Sequence, residues 1–296
     1  MLTARSQYAA ALRQELIARN NSYAALNRLS HVTSCGELPV VVYQQSECGR
    51  YHGNFISASY RAILRRPQWR KRLQKVHSQG RRSLPARDGL WRELDSSLSS
   101  DALLMNIFCY PGVTRKLEVY RILGLEPGSV PEFGFMPRVP LVNEATERTE
   151  IDMKVGNTLF EAKLTEGDFQ IERAELVERY RDLRDVFESR RLPRVANKYV
   201  SYQQIRNVLA AHALRLDFCT LLDARRPDLI EDWYGIVRCV RFATLRARCK
   251  VLTWQELTPS LPAVLQRFLE VKYGIAPKDA AARGSSVVSE QCGDLA

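Results

Sequence analysis

Apolar positions spaced three and four apart predict a helix through residues 1–30, and the polar pair Asn20-Asn21 predicts an interruption in it. A short β-like run follows at 38–43. From about residue 90 the pattern alternates between helical and strand periodicity, as in a mixed α/β core. Residues 100–108 read as a helix, with Ser99 or Ser100 as its N-cap. Two strands are expected at 149–155 and 158–164, then a highly charged helix over 171–191 and another over 201–213. A strand at 216–222, a helix at 227–240 with Pro227 in its first turn, a strand at 250–253 and a helix at 261–273 ended by Gly274 complete the pattern. The segment 79–85 reads as a loop. It divides a basic, mostly helical N-terminal extension (1–88) from the α/β core (89–276), and the small, polar tail 277–296 is expected to be disordered.

Composition narrows the class. Hydrophobic residues make up 45% and charged residues 26%, which excludes a disordered chain. No run approaches the roughly 18 apolar residues of a membrane span. Arg5, Arg13, Glu15 and Arg19 break every apolar run near the N-terminus, so no signal-peptide plan is present and a cytoplasmic location is expected. The 7 cysteines are odd in number, scattered and without a CxxC, which argues for a reducing compartment.

Charge changes the picture more. A net charge of +11 favours polyanionic partners through phosphate neutralisation, without separating DNA from RNA or an anionic membrane. The stretch 48–87 holds no acidic residue. Within it Arg65, Arg66, Arg70, Lys71, Arg72 and Lys75 are expected to contact phosphate, while Tyr60 and Trp69 are expected to anchor a core.

The chemistry concentrates at 149–164. Gly156-Asn157 is a two-residue hairpin turn signal, and it sets Val155 opposite Thr158, Asp152 opposite Glu161 and Glu150 opposite Lys163. Side chains alternate, so Ile151, Met153, Val155, Phe160, Ala162 and Leu164 present an apolar face. Glu150, Asp152, Lys154, Glu161 and Lys163 share the other. Like charges directly across a ladder repel. A hard divalent cation between Asp152 and Glu161 relieves that repulsion, and Lys163 then lies beside a water or phosphate. The plain alternative is a solvated charged face with Lys154 compensating Glu161.

Asp152 followed by Glu161-Ala162-Lys163, set in an order of helix, strands, hairpin, helix and strand, resembles the PD-(D/E)xK nuclease superfamily. The runs Glu161 to Glu166 and Tyr202 to Asn207 resemble a bacterial branch of it. The resemblance covers roughly 90–275. It implies a restriction-endonuclease-like fold with a central mixed sheet flanked by helices, and Mg²⁺- or Mn²⁺-dependent hydrolysis of DNA. By the same resemblance Asp152 and Glu161 hold the metal with the Ala162 carbonyl, Lys163 aids the water, and Gln203 with Arg206 contact substrate or support the site. Ile151 stands where the motif usually has proline. The upstream helix acid is assigned first to Asp101, with Glu93 and Glu118 as alternatives. Cutting both strands would call for a homodimer. The competing reading is a non-catalytic nucleic-acid-binding module of the same fold, and a third is a structural RNA-associated protein. His31, Cys35, Cys48 and His52 flank the 38–43 run, but their spacing is wider than a zinc knuckle's and argues against structural zinc.

Overall fold

The computed structural model describes residues 4–34, 38–76 and 92–276; the predicted loop at 79–85, Cys35 and the tail from 277 lie outside the described residues. The chain opens with α1 (Ala4–Leu26), β1 (His31–Thr33), β2 (Val41–Tyr43), α2 (Ser57–Arg65) and α3 (Pro67–Arg72). Next come α4 (Ser100–Phe108), α5 (Leu117–Leu123), β3 (Glu132–Phe135), the short ladder β4 (Val139–Pro140) and β5 (Thr146–Glu147), then β6 (Ile151–Val155) and β7 (Thr158–Ala162). After these run β8 (Ile171–Arg173), α6 (Ala174–Val177), α7 (Leu183–Val186), β9 (Arg194–Val195), β10 (Lys198–Val200) and α8 (Tyr202–Leu214). The last elements are β11 (Asp217–Leu222), α9 (Pro227–Val237), α10 (Ala243–Arg248), β12 (Cys249–Thr253), α11 (Trp254–Leu257) and α12 (Ala263–Tyr273).

Five strands form the central sheet in the order β12-β11-β7-β6-β3. The pairings β12–β11 and β11–β7 are parallel, and β7–β6 and β6–β3 are antiparallel. This is a mixed sheet with flanking helices, consistent with the fold that the resemblance implies. Helix α4 packs Leu103, Leu104, Ile107 and Phe108 onto Met153, Val155, Phe160 and Ala162. On the other side α8 packs Ile205, Val208 and Leu209 around Leu159. Every β7 position is therefore buried. Each large apolar side chain so enclosed contributes about 1.5–3 kcal/mol.

Four expectations change. Helix α1 runs straight through Asn20-Asn21 because Asn20 is buried and makes its bonds inward. Its Nδ2 donates to the Leu16 and Lys272 carbonyls, and its Oδ1 accepts from Tyr43 and Lys272. The segment 171–191 is not one helix. Val177, Tyr180, Leu183 and Val186 recur every three residues, and at about 100° per residue each step falls about 60° short of a full turn. A continuous helix would sweep them off the core; the chain breaks into short turns, and all four are buried.

Residues 4–34 and 38–76, expected as part of an extension, place side chains in the same cores as the later elements. Leu12 and Leu16 of α1 join the core under the sheet, and Tyr60, Ile63 and Trp69 pack with Ala102 and Met105 of α4 and with Cys109 just after it. Ile151 leaves the apolar face shared by Met153 and Val155 and packs in the core around Leu159. No helix among the described residues is long and apolar enough to cross a membrane.

Candidate active site

The turn at Gly156-Asn157, with Gly156 at φ +54°, pairs Val155 with Thr158, Lys154 with Leu159 and Met153 with Phe160. In the same register Asp152 faces Glu161. There the backbone ladder gives way to a side chain: the Ala162 amide donates to Asp152 Oδ2 at 2.8 Å. Lys163 is held through its backbone, its amide donating to the Leu221 carbonyl at 2.8 Å and its carbonyl accepting from Trp254 Nε1 at 3.0 Å.

Both faces of β7 are covered, so the charges of the motif are enclosed rather than solvated. Glu161 is 2% exposed and Lys163 5%. Lys163 Nζ donates to Glu161 Oε1 at 2.9 Å, and Asn207 Nδ2 donates to Glu161 Oε2 at 2.9 Å. Burial opposes ionisation of Glu161, but Lys163 and Arg206 outweigh it and hold the carboxyl below its ordinary range. Burial likewise disfavours a charged Lys163, yet Glu161, Glu166 and Asp152 outweigh it and push its pKa up.

Asp152 is half-buried and differs from its neighbours. Burial, then Glu161 and Asp101, push its carboxyl well above the usual range, against weaker help from Lys163 and Lys75. Asp101 lies in the first turn of α4, whose N-cap Ser99 accepts from the Ala102 amide. Burial raises its pKa, but Arg72 and Lys75 more than offset this and keep it below its ordinary value. Of the alternatives, Glu93 reaches the cluster only through Lys75, at 3.0 Å, and Glu118 is exposed on α5.

Of the basic stretch expected to meet phosphate, Arg65, Arg66, Arg70 and Lys71 are exposed, with Arg66 lying 4.4 Å over the Trp69 ring. Arg72 is not among them: it is buried, with NH2 at 2.9 Å from Asp101 and NH1 bound to Glu150. Arg206 is buried too. It donates to Asn207 Oδ1 at 3.0–3.1 Å and to the Glu150 carbonyl at 3.2 Å. Gln203 is partly exposed, its Oε1 buried without a hydrogen bond.

Three contributors were given no individual role by the sequence. Asn207 stands four residues beyond Gln203 on α8, and the i, i+4 relation was the available signal. Glu166 ties the hairpin to α4 by accepting from Ser100 Oγ at 2.5 Å and from the Leu164 amide at 2.6 Å. Gly134, at φ +68°, leaves room for the Arg72–Glu150 pair: a Cβ there would lie 2.4 Å from Glu150 Oε2 and 2.5 Å from Arg72 NH1. Nothing local to Gly134 announced that role. His52, considered for zinc, has both ring nitrogens engaged, by Asp95 and by the Asn54 amide.

The donors suit a hard divalent ion of the kind held by one or two carboxylates plus water and substrate oxygens. Asp152 is the observation in favour, since two neighbouring acids leave it short of positive charge. A full protein cage is another matter: among the described residues no group of three or more His, Cys, Asp or Glu side chains is arranged to hold a metal.

Comparison with curated proteins and with solved structures found no match. A family model does match, over residues 21–274, and its span crosses the boundary expected near residue 88. With a mixed α/β sheet of this kind and a match over most of its length, the chain belongs to the family described as restriction endonuclease associating with ARP.

Proposed function

We propose that the protein is a divalent-metal-dependent endonuclease of the PD-(D/E)xK type that hydrolyses DNA phosphodiester bonds at Asp152, Glu161 and Lys163. The observation that carries this reading is the buried Lys163–Glu161 pair, 2.9 Å apart, on the strand that a tight hairpin pairs with the one carrying Asp152. A Mg²⁺ or Mn²⁺ ion held by Asp152, Glu161 and the Ala162 carbonyl would supply an acidified water and neutralise phosphate charge. Lys163 stays protonated because three carboxylates surround it, so it serves as a fixed cation and donor toward the water or a phosphate oxygen, and not as a base. Asn207 fixes the plane of the Glu161 carboxylate, and Arg206 fixes Asn207. Exposed Arg61, Arg65, Arg66, Arg70 and Lys71 on and between α2 and α3 supply phosphate neutralisation along the duplex. The family description also names an association with ARP, which we extend to this chain.

Nicking of supercoiled DNA titrated against Mg²⁺ tests the reading. Asp152→Ala and Lys163→Ala are each expected to lower the rate by about 10²- to 10⁴-fold. Undiminished nicking by both variants would sink it. One observation favours the second reading, a non-catalytic DNA-binding module: both Glu161 oxygens are already engaged by Lys163 and Asn207. Tight DNA binding with no nicking in any metal would select that module.

A further inference from the structure

The acidic pocket beside Asp152 is neutralised from within. Arg72 NH2 and Lys75 Nζ both bind Asp101 Oδ2, at 2.9 and 2.8 Å, so one carboxylate oxygen carries two cations. The same two side chains reach Glu150 and Glu93. A doubly charged ion answers the same need for compensation at a buried acid.

Arg72 has a donor to spare. Its Nε is buried and makes no hydrogen bond, unlike most buried guanidinium nitrogens. Nε and a terminal nitrogen form the fork that grips a phosphate in two places. The segment carrying Arg72 also exposes Arg66, Arg70 and Lys71, so a polyanion drawn to that surface arrives next to the buried pair. Gly134 leaves the guanidinium its room, since a Cβ there would collide with it.

We propose that Arg72 and Lys75 are an internal counter-ion pair that occupies the acidic pocket of the DNA-free protein and passes from Asp101 to a DNA phosphate when a divalent cation enters. The idea rests on the nuclease reading. Both are positioning residues whose charge a cation displaces and a phosphate recovers. In the free protein they compete with the ion; in the complex they assist the DNA. A purely structural ion network lacks that reversal of sign.

The test uses the full chain. Calorimetric titration with Ca²⁺ in the absence of DNA compares wild type, Lys75→Met and the charge-conserving Arg72→Lys. Removing one nearby positive charge is expected to tighten Ca²⁺ binding by about tenfold in Lys75→Met, with Arg72→Lys within about threefold of wild type. With Ca²⁺ present, Lys75→Met is expected to bind a labelled duplex about tenfold more weakly, and its salt slope falls by about one charge. Unchanged or weaker Ca²⁺ binding in Lys75→Met, Ca²⁺ binding by none of the proteins, or undiminished DNA affinity each overturns the proposal. Thermal melting accompanies every titration, and Lys75→Gln takes the place of the Met variant should the latter unfold early. Nicking by Asp152→Ala judges the nuclease reading separately, because Ca²⁺ affinity reports the counter-ion pair whether or not DNA is cut.

Discussion

Lys163 and Lys272 are both buried, at 5% and 0% exposure, yet their surroundings drive them in opposite directions. Lys163 sits among Glu161, Glu166 and Asp152, which overcome its burial and raise its pKa. Among the described residues Lys272 is paired with no carboxylate. Its Nζ donates to Asn20 Oδ1 at 2.7 Å and lies 3.9 Å from the Tyr43 ring centre, with Tyr23 and Tyr273 further off. Burial there pulls its pKa well below the ordinary value. Depth is shared by the two lysines; the partners differ. One region keeps its lysine charged beside carboxylates, and the other uses a polar side chain to fasten α1 and β2 to α12.

Three changes sharpen or break this contrast. The largest effect is expected from Lys163→Met, which strands the Glu161 charge in the interior and should cost about 3–5 kcal/mol in chemical denaturation. A loss under about 1 kcal/mol would mean that Glu161 does not depend on Lys163 for its charge.

Asn20→Ala comes next. It strips the Tyr43 hydroxyl and Lys272 Nζ of an acceptor, so stability should fall by about 1–3 kcal/mol while the metal dependence of nicking stays as in wild type. A change in metal dependence would show that the two regions are coupled.

The smallest effect is expected from Lys272→Met, and its sign depends on pH. A lysine whose folded pKa lies below its unfolded value of 10.5 binds fewer protons folded, so wild-type stability rises as pH climbs from that folded pKa toward 10.5. Lys272→Met should therefore be as stable as wild type or slightly more stable at pH 7, with the advantage shrinking as pH approaches 10. Melting scans across that range decide it. A variant less stable than wild type at pH 7 would show that the tyrosine rings hold the charged form.

The hairpin was legible because its rules are local. Gly156-Asn157 specifies the turn, and the register it sets runs from Val155–Thr158 to Met153–Phe160, the step before Asp152 and Glu161. Ser99 capping α4 and Gly274 ending α12 with φ +63° were readable for the same reason. The segment 171–191 misled because charge content suggested a solvated helix, whereas the three-residue spacing of its apolar positions carried the decisive signal. Arginine and lysine within one basic stretch look alike in sequence, yet Arg72 turns inward and Arg70 outward.

What the sequence determined by itself is a β-hairpin at the centre of an α/β core, carrying two acids and a lysine, on a chain basic enough to seek polyanions. Only the tertiary structure decided which charges are enclosed. Asn207 reaches Glu161 across 46 positions of chain and Arg72 reaches Asp101 across 29, and no short-range preference encodes either meeting. Long-range packing brings such groups together, and the loss of water around them then sets which acid stays ionised and which lysine keeps its proton.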